Sequence, residues 1–300
     1  MNITNKHLDI TNKHLDNIAV DHFHHLGFST KDIALENFKD IKIVCVCGSP
    51  ERVKKLAGFL NDGLKLVKAE ELHNLCLTDR YVMFKIGPIL LASHGIGAPS
   101  ASILFHEIFK LLHYSEAKEF VFFRLGTCGG LGVKPGTIVL TKKALNGFLQ
   151  PVYTQTVLGK KIDYPTIMDN TIIEELQHLV QENLNFDVIS GDTFCCDDFY
   201  EAQARLDGAF CTYSKQDKED FLTMLQSNGV KNIEMESSVV AAMCNRANIR
   251  ACTMCVVLVD RLAEDQVILT NEMRKEIEKK PWYLLLEYIK RKVAPVRPDN

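Results

Sequence analysis

An arginine at the end of an apolar run raises the first chemical question. Arg124 follows FVFF and leads into LGTCGG, which stands a guanidinium at the edge of a buried strand beside Thr127, Gly126, Gly129 and Gly130. Burying that charge is costly unless it meets an anion, and glycines let backbone amides approach a ligand closely. A structural salt bridge would explain the arginine but leave the glycines without a purpose. A second anion site is suggested by GSPERV, 48 to 53, which follows one buried strand and opens a helix. Gly48 permits the turn, Pro50 suits a first helical turn, and the free amides there, with Arg52 one turn in, attract negative charge. The same letters also serve as ordinary strand-to-helix punctuation.

Three further segments add polar groups of different kinds. In DDFYEAQARLDG, 197 to 208, Phe199 offers a stacking face while Gln203 both donates and accepts and Arg205 only donates, a set able to read the edge of a planar heterocycle. An ordinary surface loop has similar composition. NIEMESS, 232 to 238, starts a helix with Glu234 and Glu236 in its first turn, where the helix dipole favours carboxylates. One carboxylate there can also accept two hydrogen bonds from a vicinal diol, which gives Glu236 a second use. SHGIGAPSAS, 93 to 102, is read as a tight turn into a well-capped helix.

These groups need a scaffold, and the chain supplies one by alternation. Apolar runs at 41–47, in VMFKI, in PILLASHG, at 119–126, in GTIVLTKKAL, in VISGDTF and in RACTMCVVLV read as strands. Helical spacing is read from Glu51 to about Leu60, at 100–112, near 170–183, near 217–228 and from Met235 to Ala247, with a last helix interrupted or begun by Pro281. Such alternation predicts an α/β fold with a central, largely parallel sheet covered by helices on both faces. No linker divides the chain, so residues 21–300 are read as one domain. Residues 1–20 carry a tandem heptapeptide, ITNKHLD, read as a mobile arm with His7 and His14 solvated.

Composition narrows the function. The chain has 300 residues, 46% hydrophobic and 24% charged, with a net charge of -3. That balance argues against a nucleic-acid partner, which needs a concentrated basic face. No apolar run is long enough to cross a bilayer, and the first 30 residues lack a secretory pattern, so a cytoplasmic protein is expected. Nine of the ten cysteines are read as buried apolar filler, Cys252 and Cys255 included, because a zinc site would need further ligands. Cys128, inside the arginine-glycine segment, is the one whose alkylation is expected to block a site.

Taken in order, GSPERV, LTDRYVMFKIGP, SHGIGAPSASI, RLGTCGGLGVKPGT, DFYEAQARLDGA and NIEMESSVVAAMC resemble the nucleoside phosphorylase family, and within it the animal-type uridine phosphorylases. The likeness runs from about Phe23 to Lys292. It implies the single-domain fold of that family, a mixed sheet flanked by helices, and reversible phosphorolysis of uridine to uracil and ribose 1-phosphate in pyrimidine salvage. It also implies that Gly48, Arg52, Arg124 and Thr127 hold phosphate, with Arg80 from a neighbouring subunit. Ribose would meet Thr127, Met235 and Glu236, and a partner's His25, next to His24, would cover its 5′-hydroxyl. The base would lie by Cys128 and Gly129 and stack near Phe199, read by Gln203 and Arg205 with support from Arg261. Arg124, Glu236, Gln203 and Arg205 would carry catalysis, in at least a homodimer with shared sites. No metal or organic cofactor is expected, phosphate being a co-substrate.

Three positions depart from the pattern. Ser49 stands where many relatives have an acid, Tyr81 where bacterial relatives carry a glutamate at a monovalent cation site, and Asp260 where asparagine is usual. Purine-cleaving relatives use an aspartate in a comparable segment, so Asp260 keeps purine nucleoside phosphorolysis open as an alternative. A hydrolase would not need the cluster Arg52, Arg80 and Arg124. The complete polar set argues against an inactive, nucleoside-binding paralogue.

Overall fold

The computed structural model describes residues 7–293. In chain order it contains β1 (His22–Phe23), β2 (Phe28–Ser29), β3 (Ile43–Cys47), α1 (Pro50–Leu64), β4 (Met83–Ile86), β5 (Ile89–Ser93) and α2 (Ala98–Tyr114). Then come β6 (Val121–Gly130), β7 (Ile138–Leu145), β8 (Val152–Val157), β9 (Lys160–Pro165), α3 (Asn170–Asn183) and β10 (Val188–Cys195). The chain closes with α4 (Lys215–Ser227), β11 (Val230–Glu234), α5 (Ser237–Arg246), β12 (Arg250–Asp260) and α6 (Asn271–Lys292).

Eight strands form one sheet in the order β11-β10-β7-β12-β6-β3-β5-β4. Its middle is parallel, β12, β6, β3 and β5 running together, while β7 against β12 and β4 against β5 are antiparallel. The sheet is therefore mixed. It also curls until β11 pairs antiparallel with the end of β6, Ile233 opposite Gly129 and Asn232 opposite Gly130. All five residues of β3 are buried, as expected for a strand covered on both faces. Ser49 begins α1 by accepting the Arg52 N–H at 3.4 Å, with Pro50 in the first turn. Its place in the sequence is that of a helix cap.

Several expectations change. RLGTCGG is not a turn but the last part of β6, and NIE is the strand β11 rather than a helix start. Apolar runs of this length suit strand and helix alike until partners are known. Pro281 neither starts nor breaks α6. Pro281, Trp282, Leu284, Leu285 and Ile289 are all buried there, and that packing outweighs one missing backbone bond. The hairpin of β8 and β9 escapes the sequence because KKIDYP faces mostly solvent.

Of the duplicated arm, residues 1–6, Ile3 among them, lie outside the described residues. Beyond them the chain is in contact with the body. Leu8 N–H donates to Lys118 O and Asp9 N–H to Ala247 O, both at 2.9 Å, and Leu15 is buried. His7 is half exposed, 3.5 Å from Glu119, and His14 is exposed. Among the described residues no helix is long and apolar enough to cross a membrane.

Candidate active site

The C-terminal ends of β3, β5, β6 and β12, where β11 closes on β6, surround a cavity of about 370 Å³. Crevices at the carboxyl ends of parallel strands are where open α/β sheets bind ligands. Gly48 follows β3, Gly95 and Ile96 follow β5, and Thr127, Cys128 and Gly129 belong to β6. Met235 and Glu236 come from the β11–α5 junction and Arg261 from the end of β12. Phe199, Gln203 and Arg205 enter from the segment between β10 and α4.

Arg124, in the lining of this cavity, is 3% exposed. Its Nη1 lies 2.7 Å from Glu234 Oε2 and 3.0 Å from Cys255 Sγ, and its Nη2 meets Glu236 Oε2. Burial works against the charge, but Glu234 and Glu236 outweigh it and hold the guanidinium well above its ordinary pKa. Its Nε–H is buried with no partner among the described residues. Glu236 Oε1 accepts the Gly97 N–H at 2.6 Å, so this carboxylate bridges Arg124 and the start of α2. Glu234 accepts the N–H groups of Glu236 and Ser237 at 2.9 and 3.1 Å, capping α5 while pairing Arg124. Breaking such a buried pair by removing one partner costs about 3–5 kcal/mol. The sequence reading put Glu234 in a helical first turn and missed this role. As the last residue of a strand its carboxylate points back to Arg124 and forward to the helix amides at once.

Two glycines of β6 have a further purpose that the sequence did not suggest. A methyl group at Gly126 would fall 2.8 Å from Arg124 Nη1, and one at Gly129 would fall 2.5 Å from Arg261 Cγ. At these two positions the missing side chain makes room for an arginine, and both glycines also line the cavity.

The polar groups around Gln203 are wired together. Arg261, 1% exposed, donates from Nη2 to Gln203 O at 2.8 Å and from Nη1 to Gln203 Oε1 at 3.5 Å, while its Nε bonds Asp265 at 2.9 Å. The Gln203 carbonyl oxygen is thereby turned to Arg261, and its amide Nε2 donates to no described residue. Arg205 grips Asp207 with Nε and Nη2 at 2.9 and 2.8 Å and lies 4.6 Å from the Phe199 ring centroid. The Arg205 hydrogen bond holds the Asp207 carboxyl below its usual range. Asp207, Asp265 and Lys218, which pairs with Asp265 at 2.9 Å, gave no signal in the sequence. Nor did Arg274, Leu258, Val259 or Val267, which line the cavity together with Arg52 and Ile233.

Two expected residues lie outside the cavity of their own chain. Arg80 is exposed, its Nη2 3.0 Å from Ser100 Oγ, and the His25 ring is half exposed. The departures also have places. Tyr81 is 1% exposed and donates to Ser100 O at 2.7 Å. Asp260 Oδ1 accepts the N–H groups of Gly132 and Leu262 at 3.0 and 3.1 Å and does not line the cavity. Among the described residues the only carboxylates that do are Glu234 and Glu236. Cys128 lines it with little exposure, and burial, with Cys255 beside it, pushes its thiol well above the ordinary range. Cys211, expected to be buried, is the exposed cysteine, because its short loop has no strand or helix over it.

The phosphorylase superfamily profile matches residues 42–290. Human uridine phosphorylase 2 is 41% identical over 297 residues, 98% of this chain and 92% of that one. The chain belongs to the uridine phosphorylases of this superfamily. Another uridine phosphorylase relative, inactive uridine phosphorylase B of Schistosoma mansoni, is 42% identical over 96% of both chains. A crystal structure of uridine phosphorylase from Schistosoma mansoni in complex with uracil superposes with a TM-score of 0.90 at 41% identity, covering 94% of this chain and 99% of the other. The nucleoside phosphorylase fold expected from the motifs is thus the fold observed.

Proposed function

We propose that the chain catalyses reversible phosphorolysis of uridine to uracil and ribose 1-phosphate. One observation carries the reading: a single cavity is lined both by a buried arginine whose Nε–H has no partner among the described residues and by an amide whose N–H groups donate to none of them. Phosphate lies by Gly48, Arg52, Arg124 and Thr127, ribose by Met235 and Glu236, and uracil between Phe199, Cys128, Gly129 and Gln203. A phosphate oxygen bonds to C1′ as the C1′–N1 bond breaks, and its electron pair passes to the base, which then takes up a proton. Positive charge grows on the ribose and negative charge on the base. The phosphate dianion stabilises the first and the Gln203 amide the second, where fixed dipoles in a dry site are worth most. Arg205, occupied by Asp207 on one edge, has Nη1 left for O4. No metal or organic cofactor enters this scheme.

Arg80 and His25 complete the cavity of a second copy, which makes a homodimer the working unit. Ten free thiols accord with a reducing, cytoplasmic setting. The purine alternative loses its acid, since Asp260 is engaged with backbone amides away from the cavity. An inactive nucleoside-binding chain is the second reading, supported by the inactive relative. Release of free base from uridine and inosine, with and without phosphate, tests all of these. Phosphate-dependent uracil release is expected. Cleavage without phosphate would indicate a hydrolase, inosine cleavage alone a purine enzyme, and no cleavage of either the inactive reading.

A further inference from the structure

Glu107 lies in the middle of α2, 6% exposed, and is not part of the cavity described above. A buried carboxylate needs donors, and its donors all come from one turn. Oε1 accepts the His25 N–H at 3.0 Å and lies 2.7 Å from His25 Nδ1, while Oε2 accepts the Leu26 N–H at 2.9 Å and shares the His25 N–H at 3.2 Å. The turn is held from the other side as well. Thr78 Oγ1 donates to His25 O at 2.5 Å, and Leu77 N–H donates to Leu26 O at 2.8 Å, which ties this turn to the segment that carries Arg80. His24, in contrast, is exposed and stacks on His22 with centroids 6.0 Å apart.

We propose that Glu107 is a positioning residue that fixes the tautomer and direction of His25 for the ribose of a second copy's site. This rests on the reading of His25 as the group that meets the 5′-hydroxyl. An ionised carboxylate only accepts, so the proton of the neutral imidazole sits on Nδ1 and points at Glu107. Nε2 is then a bare acceptor on the half-exposed edge of the ring. It takes a hydrogen bond from a hydroxyl and offers nothing to a substrate that lacks one. The same carboxylate fixes the backbone on either side of the ring, so the imidazole is held in direction as well as in protonation. A glutamine in its place keeps the shape but turns one accepting oxygen into a donor that faces other N–H groups.

The test compares kcat/KM for uridine and 5′-deoxyuridine in the full-length enzyme. One hydrogen bond of this kind is worth about 3- to 10-fold. His25→Ala is expected to lower the uridine to 5′-deoxyuridine ratio by about that factor, Glu107→Gln to lower it similarly, and the double variant to go no further. If His25→Ala moves the ratio and Glu107→Gln does not, the positioning role is wrong and the ribose reading stands. If His25→Ala leaves the ratio alone, the ribose reading fails and takes this inference with it. Equal losses on both substrates in Glu107→Gln would mean that Glu107 only holds the fold, which also overturns it. Should that variant not fold, 15N NMR of the wild-type imidazole decides. A proton on Nδ1 of His25 is expected, and one on Nε2 of the neutral ring refutes the proposal.

Discussion

Replacing Gly129 by alanine tests whether base recognition depends on where Arg261 lies. The added methyl would sit 2.5 Å from Arg261 Cγ and 3.0 Å from Cδ. Contacts between carbons are comfortable only beyond roughly 3.5 Å, so the arginine stem must retreat by about 1 Å. It has nowhere to go without loss, being 1% exposed and tied to Asp265 at Nε and to Gln203 O at Nη2. Whatever moves Arg261 moves Gln203. A displacement of about 1 Å in a group that orients substrate can cost about 10²-fold in rate, and overpacking costs about 1–3 kcal/mol of stability. The expected result is a fall of about 10² in kcat/KM for uridine with a melting temperature lower by several degrees and KM for phosphate little changed. Uracil release followed by absorbance at saturating phosphate, beside a thermal scan, reads both. A variant with a lowered melting temperature but near wild-type kcat/KM would refute the coupling of Arg261 to Gln203.

Other expectations follow from the same geometry. Gln203→Leu removes the free amide donor and should lower kcat for uridine by about 10²- to 10³-fold, read in the same assay. Asp260→Asn keeps an oxygen for the Gly132 and Leu262 amides, so the ratio of uridine to inosine cleavage should not change; a gain of inosine cleavage relative to wild type would reopen the purine reading. His94 is fully buried, neither ring nitrogen has a hydrogen-bond partner among the described residues, and burial, together with Arg124 and Arg52, holds its pKa well below the ordinary range. Below about pH 6.5 the unfolded chain takes up a proton that the folded one refuses, so stability falls as pH falls, by about 1.4 kcal/mol per unit. Denaturant titrations should show a shallower acid decline in His94→Leu than in wild type. With an alkylating reagent at neutral pH, Cys211 should react first and Cys128 slowly, because burial keeps the latter protonated; mass spectrometry of modified peptides checks the order.

Much of this was legible in the chain. Arg124 after an apolar run and Arg52 behind a strand-to-helix turn announced themselves because charge beside a buried strand demands an explanation. Gln203 and Arg205 stood out by chemistry, and all four line one cavity. What stayed hidden were the residues that hold these in place. Glu107, Asp207 and Asp265 are acids in polar or amphipathic surroundings, where carboxylates are common, and only the folded neighbours reveal their partners. Glu234 was visible but misplaced, since one residue of shift between a strand end and a helix start changes where a side chain points. The glycines of β6 stood out for their lack of a side chain, but that Gly126 leaves room for Arg124 and Gly129 for Arg261 shows only in the folded neighbours. The exposed thiol was missed because a residue's type says little about a loop that nothing covers.

Strand β6 is both the spine of the sheet, bonded to β3, β12 and β11, and the carrier of Arg124, Thr127, Cys128 and Gly129. That has a consequence for how the molecule opens. Amide protons along β6 are expected to exchange with deuterium only when the whole domain unfolds, since no smaller opening frees them. Their protection should report global stability. The 197–213 and 261–270 segments hang on the side-chain ties among Arg205, Asp207, Asp265 and Gln266 and exchange through local opening. One half of the cavity is thus as permanent as the fold, and slowing of exchange on nucleoside binding belongs to the other half.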